Sequence, residues 1–333
     1  MKSREVVLAR RPVGMPAAED FAIREVELGE PEPGEVLVRN VCMSVDPYMR
    51  GRMIDRRSYT PPFAVGETLT GGAIGRVVQS NDPDLPEGEH VESHQGWREA
   101  FVAKSTGVRR LGNLEAPASA YLGVLGMPGM TAYVGLLDVG ALKEGETVFV
   151  SGAAGAVGSA VGQIAKIKGC TAVGSAGSAD KVRHLTEDLG FDHAFDYHDG
   201  HLERQIFAGA AEGVDVYFDN VGGDHLQAAL NCMRPGGRLP LCGAIAQYNA
   251  TEPVPGPNNL AIAIGMGLTI RGFIVSNFNH RRGDFMRDMT DWVTSGRLKY
   301  RETVFDGIDK AHEAFIGLFT GANTGKMVVN LGD

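Results

Sequence analysis

Cysteine is scarce in this chain: four residues, at 42, 170, 232 and 242, with no Cys-x-x-Cys pair among them. That argues against a disulfide framework and fits thiols used as small apolar side chains in a reducing cytoplasm. No apolar run is long enough to span a bilayer, and Met1-Lys2-Ser3-Arg4-Glu5-Val6 lacks the apolar core of a signal peptide. Positive charge is in the minority, with 32 Lys and Arg against 41 Asp and Glu for a net −9, so neither nucleic acid nor an anionic membrane is expected as a main partner. Repeats and low-complexity tracts are missing too. Hydrophobic content of 43% is ordinary for a soluble globular protein, and 333 residues are long for one core, so two domains are expected.

What the chain has in plenty is glycine, 45 residues, much of it in turns. The most informative stretch is Val148-Phe149-Val150-Ser151-Gly152-Ala153-Ala154-Gly155-Ala156-Val157-Gly158. An apolar β-branched run stops at small residues, and helix-spaced apolar positions follow at Val157, Val161, Ile164 and Ala165, ending at Gly169. Strand, tight turn and helix in that order form a dinucleotide fingerprint of the Gly-x-x-Gly-x-x-Gly kind. Small residues let backbone approach a pyrophosphate, whose charge sits on free N–H groups and the positive helix end. The candidate contacts are Gly152, Ala154, Gly155, Ala156, Val157 and Gly158.

NAD sites usually place an Asp or Glu about 20 residues past the glycines, on the ribose 2′-hydroxyl. Here that segment reads Gly174-Ser175-Ala176-Gly177-Ser178-Ala179-Asp180-Lys181, with no acid at the strand end. Ser178 can cap the next helix and Lys181 lies in its first turn. Together they offer the donors and charge that a 2′-phosphate needs, so NADP(H) is the expected cofactor. The plainer alternative is a solvated helix lysine partly neutralised by Asp180.

Residues 1–120 are β-rich, with strands at 35–41 and 72–78 set off by Pro31-Glu32-Pro33-Gly34, Asp82-Pro83 and Pro86-Glu87-Gly88. From 121 to 299 strands near 147–151, 171–175, 194–196, 214–219, 237–242 and 269–274 alternate with helices near 157–168, 179–189, 201–210 and 223–232. That is an α/β pattern: a doubly wound parallel sheet with helices on both faces. A helix at 281–296, a short strand at 303–305, a helix at 309–320 and a strand at 326–329 follow, and 300–333 is expected to return to the first domain. Thr251 to Asn259, with prolines at 253, 255 and 257, reads as a loop near the cofactor sheet.

Five stretches carry a family resemblance: Ser44-Val45-Asp46-Pro47-Tyr48-Met49-Arg50-Gly51-Arg52-Met53, Gly126-Met127-Pro128-Gly129-Met130-Thr131-Ala132-Tyr133, Phe218-Asp219-Asn220-Val221-Gly222-Gly223, Cys242-Gly243-Ala244-Ile245 and Gly321-Ala322-Asn323-Thr324-Gly325-Lys326. In this order, over nearly the whole chain, they resemble the zinc-independent medium-chain dehydrogenases/reductases, in the double-bond reductase branch of prostaglandin, alkenal and bacterial curcumin reductases. Gly51-Arg52-Met53 through Ser58-Tyr59-Thr60-Pro61-Pro62 is most similar to the curcumin reductases, and the Ala-Ala-Gly-Ala-Val-Gly turn to the prostaglandin reductases. The resemblance implies a GroES-like β-rich domain beside a Rossmann domain, with the active site in a cleft between them. It implies that Lys181 and Tyr197 meet the 2′-phosphate end, that Asn220 and Gly243-Ala244 lie under the nicotinamide and its ribose, and that Asn323 reaches back to that end. Gly177, Cys242 and Phe273 are further candidate cofactor contacts. Relatives often form homodimers through the sheet edge, for which Leu268 to Val275 is the candidate.

Zinc alcohol dehydrogenases share that architecture but place a Cys after the first long strand and a His in a Gly-His-Glu run. This chain reads Met43-Ser44-Val45-Asp46 and Gly66-Glu67-Thr68 there, so no metal is expected. Without a Lewis acid, an alcohol–ketone interconversion is hard. Hydride addition to an α,β-unsaturated carbonyl needs only neutral donors to steady an enolate oxygen. Tyr248, which the resemblance puts in the active site, and Tyr48 are the candidate donors; each could instead be a packed tyrosine, Tyr248 under Pro253 and Tyr48 in the core. Tyr59, Met127 and the prolines near 255 are candidates for an apolar substrate wall. The nine histidines read as structural or solvated, and Asp138 and Arg281-Arg282 as surface charges. The expected activity is NADPH-dependent C=C reduction of a small unsaturated aldehyde or ketone. A quinone reductase and a non-catalytic NADPH-binding protein are the alternatives.

Overall fold

Short, wholly buried apolar runs make the centre of a parallel sheet, because a strand covered by helices on both faces has no polar side to show. In the computed structural model β1 (Thr147–Val150), β2 (Thr171–Ala176) and β4 (Val214–Phe218) are of this kind, and β3 (His193–Asp196), β5 (Met233–Leu241) and the more exposed β6 (Thr269–Gly272) complete the sheet. They pair in parallel in the order 3-2-1-4-5-6, the doubly wound dinucleotide-binding arrangement. Phe149 stacks on Tyr217 at 5.1 Å and on Phe195 at 5.9 Å, tying β1, β3 and β4 through one core. Helices α1 (Ala156–Ile167), α2 (Ala179–Arg183), α3 (Leu202–Gly209) and α4 (Gly223–Cys232) connect the strands. Beyond Arg183 the chain opens into a wider π turn at His184–Asp188. Strand β5 begins four residues before the expected 237, running through Arg234-Pro235-Gly236.

The structure describes residues 1–332; Asp333, last in the expected return segment, lies outside them. Its contacts divide into two units: Met1–Leu122 with Glu302–Asn323 and Met327 onward, and Gly123–Arg301 with Thr324–Lys326. In the first, Lys2–Leu8 pairs antiparallel with Phe21–Glu27. A seven-stranded sheet is built around Glu35–Ser44, which pairs antiparallel with Ala73–Ser80, with Ala100–Lys104 and, through Val328 to Asn330, with the last strand of the chain. Its core gathers Trp97, Phe21 and Phe315, whose rings lie 5.9–6.1 Å apart. Among the described residues, no helix is long and apolar enough to cross a membrane.

The expectation of Asp138 and Arg281 as plain surface charges needs correcting. Arg281 donates to Asp138 at 3.1 Å, with both side chains about two-thirds buried. Asp288, one helix turn past Asp284, accepts from the Tyr133 hydroxyl at 2.7 Å. Packing of the helix Arg282–Thr294 on Met127–Val134 turns these charges inward, which local sequence does not report.

Candidate cofactor and active site

Ligands of open parallel sheets bind beyond the carboxyl ends of the strands, where strand order reverses. Here the reversal falls between β1 and β4. The expected contacts of the second unit follow directly on successive strands: Gly152 to Gly158 after β1, Gly177, Ser178 and Lys181 after β2, Tyr197 after β3, Asn220 after β4, Cys242, Gly243, Ala244 and Tyr248 after β5, and Phe273 after β6. They therefore share one sheet edge.

The first turn is built for close approach. Gly152 has a φ of +60°, the left-handed region that favours glycine. At Gly158 a Cβ would stand 2.5 Å from the Gly152 carbonyl oxygen and 2.7 Å from Ala153 Cα, so no larger side chain fits. Helix α1 starts at Ala156, and its N-cap, Gly155, offers no side-chain cap, which leaves the helix's first backbone N–H groups to a ligand. The Gly325 N–H donates to Ala154 O at 2.7 Å and brings Thr324–Lys326 against this turn.

At the end of β2, Ser178 caps α2, its hydroxyl accepting from Lys181 N at 3.4 Å. Half-buried, the Lys181 ammonium is pushed below its ordinary pKa by desolvation. The Tyr197 hydroxyl stands 3.0 Å from where a Cβ on Gly177 would be. Thus Gly177, Ser178, Lys181 and Tyr197 form one cluster.

Sequence reasoning missed the hub at the reversal point. The buried Asp219 Oδ1 accepts from the Tyr217 hydroxyl (2.7 Å), Gly222 N (2.8 Å), Val221 N (3.0 Å) and Ser151 Oγ (3.2 Å). Asn220 is fixed from the same side: its N–H donates to Ser151 Oγ at 3.0 Å and its side-chain amide to Ser151 O at 2.8 Å. Asp219 stood in a quoted motif, but its partner Ser151 is 68 residues away, and no local signal joins them.

After β5 the chain turns back, and the Tyr248 hydroxyl accepts from Ala244 N at 3.3 Å. Burial pushes the phenol above its usual pKa, with Cys242 and Asp219 adding to the shift. Cys242 itself is pushed up to about 12, mainly by burial. Phe273 packs on Phe218 at 6.3 Å and closes over Gly135. The 251–259 loop is tied to α4: Asn259 donates to Gln227 O at 2.9 Å. Met127, at the start of its helix, is 39% exposed.

Tyr48, Tyr59 and Asn323 belong to the first unit. Tyr48 packs against that unit's core, and burial, with Asp46 nearby, raises its pKa well above the ordinary phenol value. The guanidinium of Arg52 lies beside it and stacks over Phe63 at 3.9 Å. Tyr59 is exposed. Buried Asp46 accepts from the Ser44 hydroxyl, whereas Glu67 is exposed. Among the described residues, no three His, Cys, Asp or Glu side chains group as metal ligands.

Residues 4–111 match the family described as the N-terminal domain of oxidoreductase, and 156–295 that described as zinc-binding dehydrogenase. The NADPH-dependent curcumin reductase of Escherichia coli is 44% identical over 99% of this chain and 97% of its own length. The chain belongs to the medium-chain dehydrogenase/reductase family, in its double-bond reductase branch. The NADP(+)-dependent 2-alkenal reductase of Nicotiana tabacum is 40% identical over 99% of this chain and 97% of its own length. The crystal structure of CurA from Vibrio vulnificus in complex with NADPH superposes with a TM-score of 0.95, at 42% identity and 99% coverage of both chains. The cofactor is NADP(H), and the cradle at Gly152 to Gly158 with the Ser178 and Lys181 pair fits it.

Proposed function

We propose that this family member is an NADPH-dependent reductase of the C=C bond of α,β-unsaturated aldehydes and ketones. The observation that carries the reading is the partly buried Tyr248 hydroxyl, held on the same sheet edge as the glycine turn and Lys181. End-to-end similarity to reductases named for curcumin and 2-alkenals, both conjugated carbonyl compounds, supports it.

Bound along this edge, NADPH supplies a hydride to the β-carbon of the conjugated bond. The residues do the rest. Gly152 to Gly158 receive the pyrophosphate, Ser178, Lys181 and Tyr197 the 2′-phosphate, and Asn220 with Cys242 to Ala244 the nicotinamide end. Negative charge moves to the substrate's carbonyl oxygen, where the Tyr248 hydroxyl donates a hydrogen bond. Tyr48 is the second candidate donor. Both phenols are held above their usual pKa, so they keep their protons at neutral pH. The α-carbon takes its proton from water or a tyrosine. Met127, exposed and apolar, suits a substrate wall.

An α,β-unsaturated ketone is expected to drive NADPH oxidation, and its saturated counterpart is not; equal rates with both defeat the reading. The expected homodimer belongs to it as well, since β6 is an exposed outer strand. Light scattering at micromolar concentration should give twice the chain mass; a single-chain mass rejects the dimer.

A further inference from the structure

Tyr197 is 40% exposed, and its N–H donates to Ala176 O at 3.1 Å, which fixes its backbone to β2 but not its ring. The ring meets two imidazoles. His198 lies 4.1 Å away, centroid to centroid; it is exposed, with Nδ1 2.8 Å from Asp196 Oδ1. His225, in the first turn of α4, meets the ring edge-to-face at 5.2 Å and 77°.

His225 is the unusual one. It is only 6% exposed, and its Nε2 has no hydrogen-bond partner. Buried polar atoms almost always find a partner, and a helix position that only needed to fill space would be served by an aliphatic side chain. Burial holds the imidazole below its ordinary pKa against the pull of Asp219 and Asp224, so it faces Tyr197 as a neutral ring. The near-perpendicular approach of the two rings is that of an edge-to-face aromatic pair.

We infer that His225 is a positioning residue of the cofactor site: it holds Tyr197 against Gly177 and thereby sets the preference for a 2′-phosphorylated over an unphosphorylated nucleotide. The inference rests on the reading that Tyr197, with Ser178 and Lys181, receives the 2′-phosphate. A donor fixed in advance costs less to order on binding than one that swings. NADH has only a hydroxyl at that end and gains little from Tyr197, so it should not register the loss of His225.

The test is calorimetric titration of NADPH and NADH into wild type, His225→Ala, His225→Phe, Tyr197→Ala and the Tyr197→Ala/His225→Ala double variant. An edge-to-face contact of ordinary strength predicts that His225→Ala raises the Kd for NADPH roughly 3- to 10-fold, with the Kd for NADH within about twofold of wild type. His225→Phe keeps the ring and should bind NADPH within about twofold of wild type. In the double variant the loss should not exceed that of Tyr197→Ala alone, because the two residues act as one. If His225→Ala does not fold, His225→Leu, which fills the space without an aromatic edge, is read in its place. Unchanged NADPH binding, equal weakening of both nucleotides, or additive losses in the double variant overturn the inference. Should Tyr197→Ala itself leave NADPH binding intact, the 2′-phosphate reading falls with it. If Tyr197→Ala weakens NADPH and His225→Ala does not, the inference alone fails.

Discussion

Replacing Tyr248 with Phe is expected to lower kcat at least 10-fold while leaving the Kd for NADPH within about twofold. A donor aimed at a developing oxyanion is typically worth roughly 2.7–4 kcal/mol, so the loss could reach about 10²- to 10³-fold. The geometry favours this role. The hydroxyl already accepts a hydrogen bond from Ala244 N, which occupies a lone pair and leaves its own proton to give. Burial raises the phenol's pKa, so the proton is present throughout the neutral range. Steady-state kinetics at saturating NADPH reads the effect, and the binding constant separates it from a displaced Cys242 to Ala244 turn. Wild-type turnover in Tyr248→Phe removes the residue from the mechanism.

Lys181→Ala is expected to weaken NADPH binding by roughly 10- to 100-fold, the range of a hydrogen bond to a charged group at about 1.5–3 kcal/mol, and to leave NADH nearly untouched. The ammonium is half-buried in the first turn after β2, where desolvation disfavours its charge. A 2′-phosphate is an anion; a ribose hydroxyl is not. Because the site is partly open, added salt should narrow the gap between wild type and variant. Undiminished NADPH affinity in Lys181→Ala makes this residue the solvated helix lysine that the sequence also allowed.

The parallel sheet was legible because its signals are local. Short, largely apolar runs such as Thr147–Val150, closed by Ser151-Gly152, and Val214–Phe218 can be read without knowing their neighbours. Ser178 as a cap was legible for the same reason. Where the boundary moved, the local signal was partly right: Pro235-Gly236 looks like a turn, and β5 passes it as an irregularity, with Gly236 at φ +75° and regular pairing resuming at Arg238. The wide turn at His184–Asp188 left no mark in the side-chain pattern. At the site, residues that follow a strand end could be named from spacing, but those that support them could not. Asp219 draws its donors from both β1 and β4, and His225 matters only because β3 delivers Tyr197 to it. A histidine in a polar helical stretch reads as solvated until the fold shows what covers it.

The account stands on hydride delivery to carbon rather than to a carbonyl, and one measurement tests it. Wild-type protein is given NADPH deuterated at the transferable position of C4, together with an α,β-unsaturated ketone, and the product is examined by NMR and mass spectrometry. A saturated ketone with one deuterium at the β-carbon is the predicted result. An allylic alcohol with the label at the former carbonyl carbon, or no labelled product from any enone while a quinone is reduced, contradicts it.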